Sequence, residues 1–288
     1  MTERDITLDD VTLRILEWGE PSAPLALLVH GFPDTAHTWR HLGPHLADRG
    51  YHVVAPFSRG YAPSSLATSG VYELAAQAHD HNALHAALRA DGDAVIIGHD
   101  WGAASTYLAC QAAPERWRKA VTMAVPPLGS TMGALTQPAQ LKRSWYMFFF
   151  QTFLADVVVP RDDHALIAQL WRDWSPGFDA TQDVAGVRRA LGTPENLGAA
   201  LAYYRAMFAP PSNNSLFASE QAAASASPRV PTLYLHGTND GCFGIEVLGD
   251  PVTFLAEGSA FVSVEGAGHF LQLEMPDAIA ALVDDFIG

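Results

Sequence analysis

The stretch VIIGHDWGAAS, residues 95–105, constrains the fold more than any other part of the chain. It begins as an apolar run of strand type, turns through Gly98-His99-Asp100-Trp101-Gly102, and continues in small residues that suit a helix. A strand-to-helix turn this tight needs small residues on both sides, and Gly98, Gly102, Ala103 and Ala104 supply them. The turn lifts residue 100 to the top of a sheet, beside the positive end of the following helix, where an anion is favoured. Read by itself, Asp100 is as well explained by capping that helix as by chemistry.

Elements of the same kind recur along the chain. Residues 11–18, 25–31, 51–56, 94–100 and 119–127 read as strands, with helical patterns between them that close on glycine. From about 128 to 217 the chain is rich in aromatics and shows no clear strand run. The small, polar segment 219–231 ends in proline, after which strands at 232–237 and 260–266 and a final helix resume the alternation. Such alternation predicts an α/β fold with a mostly parallel sheet covered on both faces. The expected division is a core of residues 1–127 and 229–288, with residues 128–228 inserted as a helical cap over the strand ends, where such sheets bind ligands.

Composition narrows the partners. With 288 residues, 49% of them hydrophobic and 17% charged, the chain is long enough for one large α/β domain and too apolar for disorder. A formal charge of −14 argues against nucleic acid and anionic membranes as partners. The most apolar stretch, 145–159, is shorter than a membrane span and reads as a helix that is buried or lines a pocket. Two cysteines, Cys110 and Cys242, and a first segment with neither basic start nor apolar run point to a reducing cytoplasm and free thiols. Cys242 reads as a packing residue, close enough to the site to sensitise it to alkylation. His41, His45, His79, His81 and His85 read as surface or cap residues, since no carboxylate or third ligand completes a metal set.

Two further residues test Asp100. On folds carrying a G-x-nucleophile-x-G turn, a triad runs nucleophile, acid, base along the chain. Asp240 follows the strand at 232–237, and His269 lies in a glycine-rich loop after the last strand, so both sit at the sheet edge that carries Asp100. The other position for an acid, after the strand at 119–127, holds AVPPLGS and no carboxylate. His30-Gly31 adds an early-strand loop of the kind that donates a backbone N–H to an oxyanion; Phe32 and Trp101 are the expected donors.

Together HGFP at 30–33, GHDWGA at 98–103, Asp240 and GAGHF at 266–270 resemble the α/β-hydrolase superfamily, and within it the epoxide hydrolases, over nearly the whole chain. The resemblance implies two tyrosines in the cap that hold and protonate an epoxide oxygen. SWYMFFFQ at 144–151 is similar to the first motif and points to Tyr146; ALAYYRAMF at 200–208 is similar to the second and points to Tyr204. Helical spacing alone does not separate Tyr204 from Tyr203.

Lipases and esterases carry serine at the middle of such a turn, and the aspartate found there in this chain specifies a different chemistry. Attack on a carbonyl would leave an anhydride, whereas attack on an sp3 carbon bearing a leaving group leaves an alkyl ester that water can cleave. The expected reaction opens a hydrophobic epoxide to a vicinal diol. Asp100 is the nucleophile, Tyr146 and Tyr204 are the acids, and His269 with Asp240 activates water. Phe32, Trp101, Tyr146 and Tyr204 are the expected substrate contacts. No metal or cofactor enters the scheme, and the partners are epoxide and water; the sequence leaves a homodimer open. The aromatic content of the cap, Trp145, Phe148, Phe149, Phe150, Trp171 and Trp174, suggests an aryl- or alkyl-substituted substrate. A haloalkane or haloacid dehalogenase shares Asp, His and acid but binds halide through N–H donors of Trp or Asn, or through an Arg and His set. Such chains carry a polar Asn after the H-G or an Arg after the nucleophile. Trp101 fits either class, so Phe32 and the two tyrosines decide. A ligand-binding relative with little turnover would not need all five groups.

Overall fold

The central strands are apolar on both faces because they lie in the middle of one sheet. The computed structural model describes all 288 residues. Eight strands are formed: β1 (Thr2–Thr7), β2 (Thr12–Trp18), β3 (Leu25–Val29), β4 (His52–Pro56), β5 (Val95–His99), β6 (Lys119–Met123), β7 (Thr232–Gly237) and β8 (Ala260–Val264). They assemble in the order β1-β2-β4-β3-β5-β6-β7-β8, and every residue of β3, β4, β5 and β7 is buried. Pairing is parallel from β4 to β8, while β1–β2 and β2–β4 are antiparallel. The sheet is therefore mostly parallel, as the alternation implied.

The edge strand β1 has no counterpart in the sequence reading. Its residues are polar and exposed apart from Ile6, so it carries no hydrophobic signature. Ion pairs to β2 hold it, Arg4 to Glu17 at 2.9 Å and Asp5 to Arg14 at 2.6 Å. Charge on an edge strand also discourages pairing with another chain.

Thirteen α-helices accompany the sheet. On the core side are α1 (Leu42–Asp48), α2 (Leu74–Ala87) and α3 (Trp101–Ala112). Between β6 and β7 there are only helices: α4 (Leu128–Leu135), α5 (Pro138–Arg143), α6 (Trp145–Phe149), α7 (Leu154–Val158), α8 (Arg161–Trp174), α9 (Thr181–Ala190), α10 (Pro194–Met207) and α11 (Ala218–Ala223), with a short 3-10 turn before α11. The chain ends in α12 (Leu271–Glu274) and α13 (Pro276–Ile287). Two apolar cores form on opposite faces of the sheet: one joins Leu28, Trp39 and Ile97 to Val283, the other joins Leu27, Ile96 and Leu108 to Phe217. A third, rich in aromatics, joins the inserted helices to the loops at the strand ends.

Two expectations need correction. Residues 145–159 form two short helices instead of one: Tyr146, Phe150, Ala155 and Val159 face inward, and Tyr146 and Met147 border a cavity, while Trp145, Phe148, Phe153, Leu154 and Val157 are exposed. Spacings of four and five residues select the inward set. His81 and His85 are buried, not superficial, because α2 packs against both α3 and α11. There the His81 Nε2 meets the Ser105 hydroxyl at 2.8 Å and the His85 Nε2–H donates to the Asp91 carbonyl at 3.0 Å.

Strand order reverses between β3 and β5, since the chain runs outward to β4 on one side and to β6, β7 and β8 on the other. Crevices beyond the carboxyl ends of strands form at such a reversal. The loops after β3 and β5 carry His30-Gly31-Phe32 and Asp100.

Candidate active site

Asp100 sits at φ 53° and ψ −120°, a backbone conformation that costs on the order of 1–3 kcal/mol in a non-glycine residue. The surroundings over-determine it. Its N–H donates to the Met123 carbonyl at 3.2 Å, and its own carbonyl accepts from the N–H groups of Ala103 and Ala104. The flanking glycines are required by close approach: a Cβ at Gly98 would overlap the Gly102 carbonyl, and one at Gly102 would overlap the Val29 carbonyl. Strand, turn and helix thus touch backbone to backbone, and the carboxylate stands at the start of α3.

The loop after β3 meets it. His30 is buried with both ring nitrogens used: Nδ1–H donates to the Gly31 carbonyl at 2.9 Å, and Nε2 accepts the Ser58 N–H at 3.0 Å. Burial pushes its pKa down to about 4, so the neutral tautomer persists and fixes the loop. The Phe32 N–H then donates to Asp100 Oδ1 at 2.7 Å. A Cβ on Gly31 would collide with the same carboxylate and crowd the Trp101 nitrogen, so both backbone N–H groups border Asp100.

The loops after β7 and β8 complete the arrangement. Asp240 Oδ1 accepts the N–H groups of Cys242 and Phe243 at 2.7 and 2.9 Å, and Oδ2 accepts from His269 Nδ1–H at 2.9 Å. That leaves His269 Nε2 without a partner, 3.6 Å from Asp100 Oδ2. Burial opposes charge on His269, but the Asp240 carboxylate, helped by Cys242 and Asp100, outweighs it and raises the imidazole pKa well above its usual value. His99 Nε2–H donates to the His269 carbonyl at 2.9 Å, and the Trp174 carbonyl at the end of α8 accepts the N–H groups of Gly241 and His269.

Residues 24–276 match the family described as alpha/beta hydrolase fold. Epoxide hydrolase A of Mycobacterium tuberculosis is 30% identical, with 99% of this chain and 97% of that protein aligned. The chain belongs to the α/β-hydrolase superfamily, in its epoxide hydrolase family. Epoxide hydrolase 1 of Caenorhabditis elegans is 28% identical over 99% of this chain and 70% of its own. The crystal structure of epoxide hydrolase A from Mycobacterium thermoresistibile superposes with a TM-score of 0.79 at 27% identity, covering 99% of this chain and 97% of that one.

Relative to other α/β-hydrolases, the interest lies in what the inserted helices bring to Asp100. Tyr146 and Tyr204 are buried with ring centroids 5.6 Å apart, edge to face. Both border a cavity of about 360 Å³ together with Asp100 and Trp101. Tyr146 Oη lies 3.3 Å from Cys242 Sγ, whereas the Tyr204 hydroxyl has no partner at all. The Tyr203 hydroxyl instead donates to the Arg59 carbonyl at 2.8 Å. Burial holds all three phenols well above their ordinary pKa, hence protonated.

The polar residues of the two tyrosine motifs reach across to each other: the Gln151 amide donates to the Tyr204 carbonyl at 2.9 Å, and Arg205 Nε donates to the Phe150 carbonyl at 3.0 Å. Sequence reading used these residues as motif markers and missed their role in tying α10 to the end of α6. It also missed His99 and Trp174, whose contributions run through backbone groups and leave no local pattern. The Phe32 ring does not border the cavity; it packs edge-on against Tyr204 at 5.2 Å and Phe150 at 5.6 Å. Nor do the six cap aromatics named from the sequence. The apolar wall comes from Leu74, Val125, Leu128, Leu135, Met147 and Met207.

Proposed function

We propose that the protein hydrolyses hydrophobic epoxides to vicinal diols through an ester on Asp100, with residues 128–228 acting as the cap over the site. The observation that carries this reading is the pairing of a carboxylate at the elbow with an unpartnered Tyr204 hydroxyl and a Tyr146 hydroxyl on one cavity. A carboxylate attacks carbon bearing a leaving group, and an alkoxide leaving group needs an acid. The relatives named epoxide hydrolases support the same substrate class.

In the first step Asp100 Oδ2 attacks one epoxide carbon while Oδ1 stays on the Phe32 N–H. The C–O bond of the ring breaks, and Tyr146 and Tyr204 hydrogen-bond the departing oxygen, one of them giving its proton. An alkoxide is more basic even than a buried phenolate, so transfer runs toward the alcohol. The product is a hydroxyalkyl ester of Asp100.

Esterification changes the charge around His269. Asp100, one of the groups that raise its pKa, becomes neutral. The imidazole then gives up its proton more readily, restoring by way of solvent in the cavity the phenol that protonated the alkoxide. Now neutral, it takes a proton from a water entering near Nε2. That water attacks the ester carbonyl, with the Phe32 and Trp101 N–H groups holding the oxyanion, each donor contributing about 3 kcal/mol in comparable sites. Asp240 fixes the tautomer by accepting from Nδ1–H. Collapse returns the Asp100 carboxylate and the diol.

The test is intact-protein mass of a His269→Gln variant mixed with epoxides and, separately, haloalkanes. A stalled second step leaves an adduct equal to the whole epoxide. An adduct equal to an alkyl group without its halogen identifies a dehalogenase, and no adduct on a folded protein sinks the nucleophile assignment.

A further inference from the structure

Cys242 is the one nucleophilic side chain at the site that the proposed reaction does not use. It follows Asp240 by two residues, is buried, and turns its sulfur toward the catalytic groups. One carboxylate oxygen of Asp100, the Cys242 Sγ and one ring nitrogen of His269 all lie within 4.8 Å of one another. His269 reaches Asp100 through Nε2, which is fully buried and unpartnered, and the separation is 3.6 Å.

These are the donor types of a zinc site: thiolate, imidazole and carboxylate. With metal bonds of about 2.0–2.3 Å, tetrahedral donors stand roughly 3.3–3.6 Å apart. The Asp100–His269 pair already has that spacing, and Cys242, within 4.8 Å of both, needs to close by roughly 1.5 Å at most. Three protein donors leave a fourth position facing the cavity, whose rim at Ala209, Pro211 and Ala224 is exposed and gives a path from solvent. The remaining ring nitrogen of His269 donates to Asp240, the outer support that metal-bound histidines require.

We propose that Asp100, Cys242 and His269 form a binding site for a single thiophilic divalent cation, of which Zn2+ is the type. On binding, the thiol and the imidazolium Nε2–H each give a proton to the medium. A sulfur–metal bond replaces the contact with Tyr146, and a nitrogen–metal bond forms at Nε2 while Nδ1–H stays on Asp240. The ion takes both the nucleophilic oxygen and the base, so metal and epoxide exclude each other. The binding site itself does not depend on the function proposed above; its inhibitory consequence rests on that reading.

The probe is Co2+, which reports a thiolate ligand by a sulfur-to-cobalt charge-transfer band in the near ultraviolet. The wild-type protein should develop this band at one cobalt per chain, lose it to added Zn2+, and lose it in Cys242→Ala. The same substitution should weaken Zn2+ inhibition of diol formation by roughly 100-fold or more, at least the loss seen when only an outer-shell partner is removed. Absence of the band at cobalt excess overturns the proposal, as does its survival in Cys242→Ala, which would assign it to Cys110. Because the band is read without turnover, a protein that binds cobalt but leaves every epoxide intact keeps the metal site and loses the proposed reaction. One that turns epoxides over but shows no band does the reverse.

Discussion

Tyr203 and Tyr204 differ by one position and by about 100° around α10, which sends their hydroxyls to different partners. Tyr203 satisfies the Arg59 carbonyl, whereas Tyr204 is buried with nothing to donate to, an arrangement that costs stability unless a ligand uses it. Tyr203→Phe should therefore lower stability by about 1 kcal/mol and change kcat by no more than a few-fold. Tyr204→Phe should leave stability unchanged or improved and lower kcat on epoxides by roughly 100-fold or more. Urea titration and steady-state kinetics on the same two variants separate the roles; equal effects on kcat would refute them. Asp34 shows buried charge with a different outcome. Burial raises its pKa to about 7; Asp183 pushes the same way, while the Thr35 N–H, Thr38 hydroxyl and Arg40 guanidinium oppose. The folded protein thus keeps this proton between pH about 4 and about 7, where the unfolded chain has lost it, so stability from this residue falls as pH rises through that window. Three units correspond to about 4 kcal/mol. The buried His30, His81 and His99 have depressed pKa values and tilt the overall profile the other way. The difference between wild type and Asp34→Asn isolates the carboxyl. At pH 8 the variant should be more stable by up to that amount, narrowing to nothing near pH 4; parallel urea midpoints from pH 4 to 8 would exclude it.

At the scale of elements, the elbow joins β5, the turn and α3 by backbone contact, and its glycines are not interchangeable with others in helices. Gly102→Ala puts a methyl into the Val29 carbonyl and should destabilise by about 3 kcal/mol or more. Gly198, in α10, has open space where its Cβ would go, and Gly198→Ala should stabilise by about 0.5–1 kcal/mol. Denaturant titration of both variants checks the contrast, and a mild effect at Gly102 would mean the loop after β3 can yield. This also explains what the sequence exposed. Seven of the strands and the elbow were legible because apolar runs, buried along their whole length in β3, β4, β5 and β7 and in part in β2, β6 and β8, and tight turns built on glycine leave marks in the sequence. Asp100, Asp240 and His269 were legible because strand ends bring distant residues to one edge. β1 was not, since charge pairs with β2 hold it and polar residues carry no periodicity. The burial of His81 and His85 was equally hidden, because α2 meets α3 and α11 only in the folded chain. Helical spacing did not tell Tyr203 from Tyr204; the resemblance pointed to Tyr204, and the position of Arg59 supplies the physical reason that Tyr203 turns away.

For the whole molecule, the end of α8 is one place where the inserted helices are fastened to the loops that carry Asp240, His269 and Phe32. Gln140 of α5, bonded to the Cys242 carbonyl and the Gly244 N–H, is another. The end of α8 presents the Trp174 carbonyl to the Gly241 and His269 N–H groups, and the Ser175 hydroxyl donates to Glu274 at 2.6 Å while accepting from the Phe270 N–H. Trp171 donates from its indole to the Pro33 carbonyl at 2.9 Å and stacks on Phe270 with centroids 3.4 Å apart. One helix end therefore touches the loops of the acid, the base and the Phe32 donor. A segment held this way should not melt before the sheet. Heating should give one transition, with tryptophan near-ultraviolet dichroism, far-ultraviolet helix signal and loss of activity sharing a midpoint. Trp171→Ala removes both the stack and the hydrogen bond to Pro33, and its cost should be about 3–5 kcal/mol. If the insertion is only a cover, that variant will split the curve, the helical signal falling first while the sheet survives. If α8 organises the triad, the transition stays single at a lower temperature, and kcat below the transition already falls because the His269 loop has lost a support.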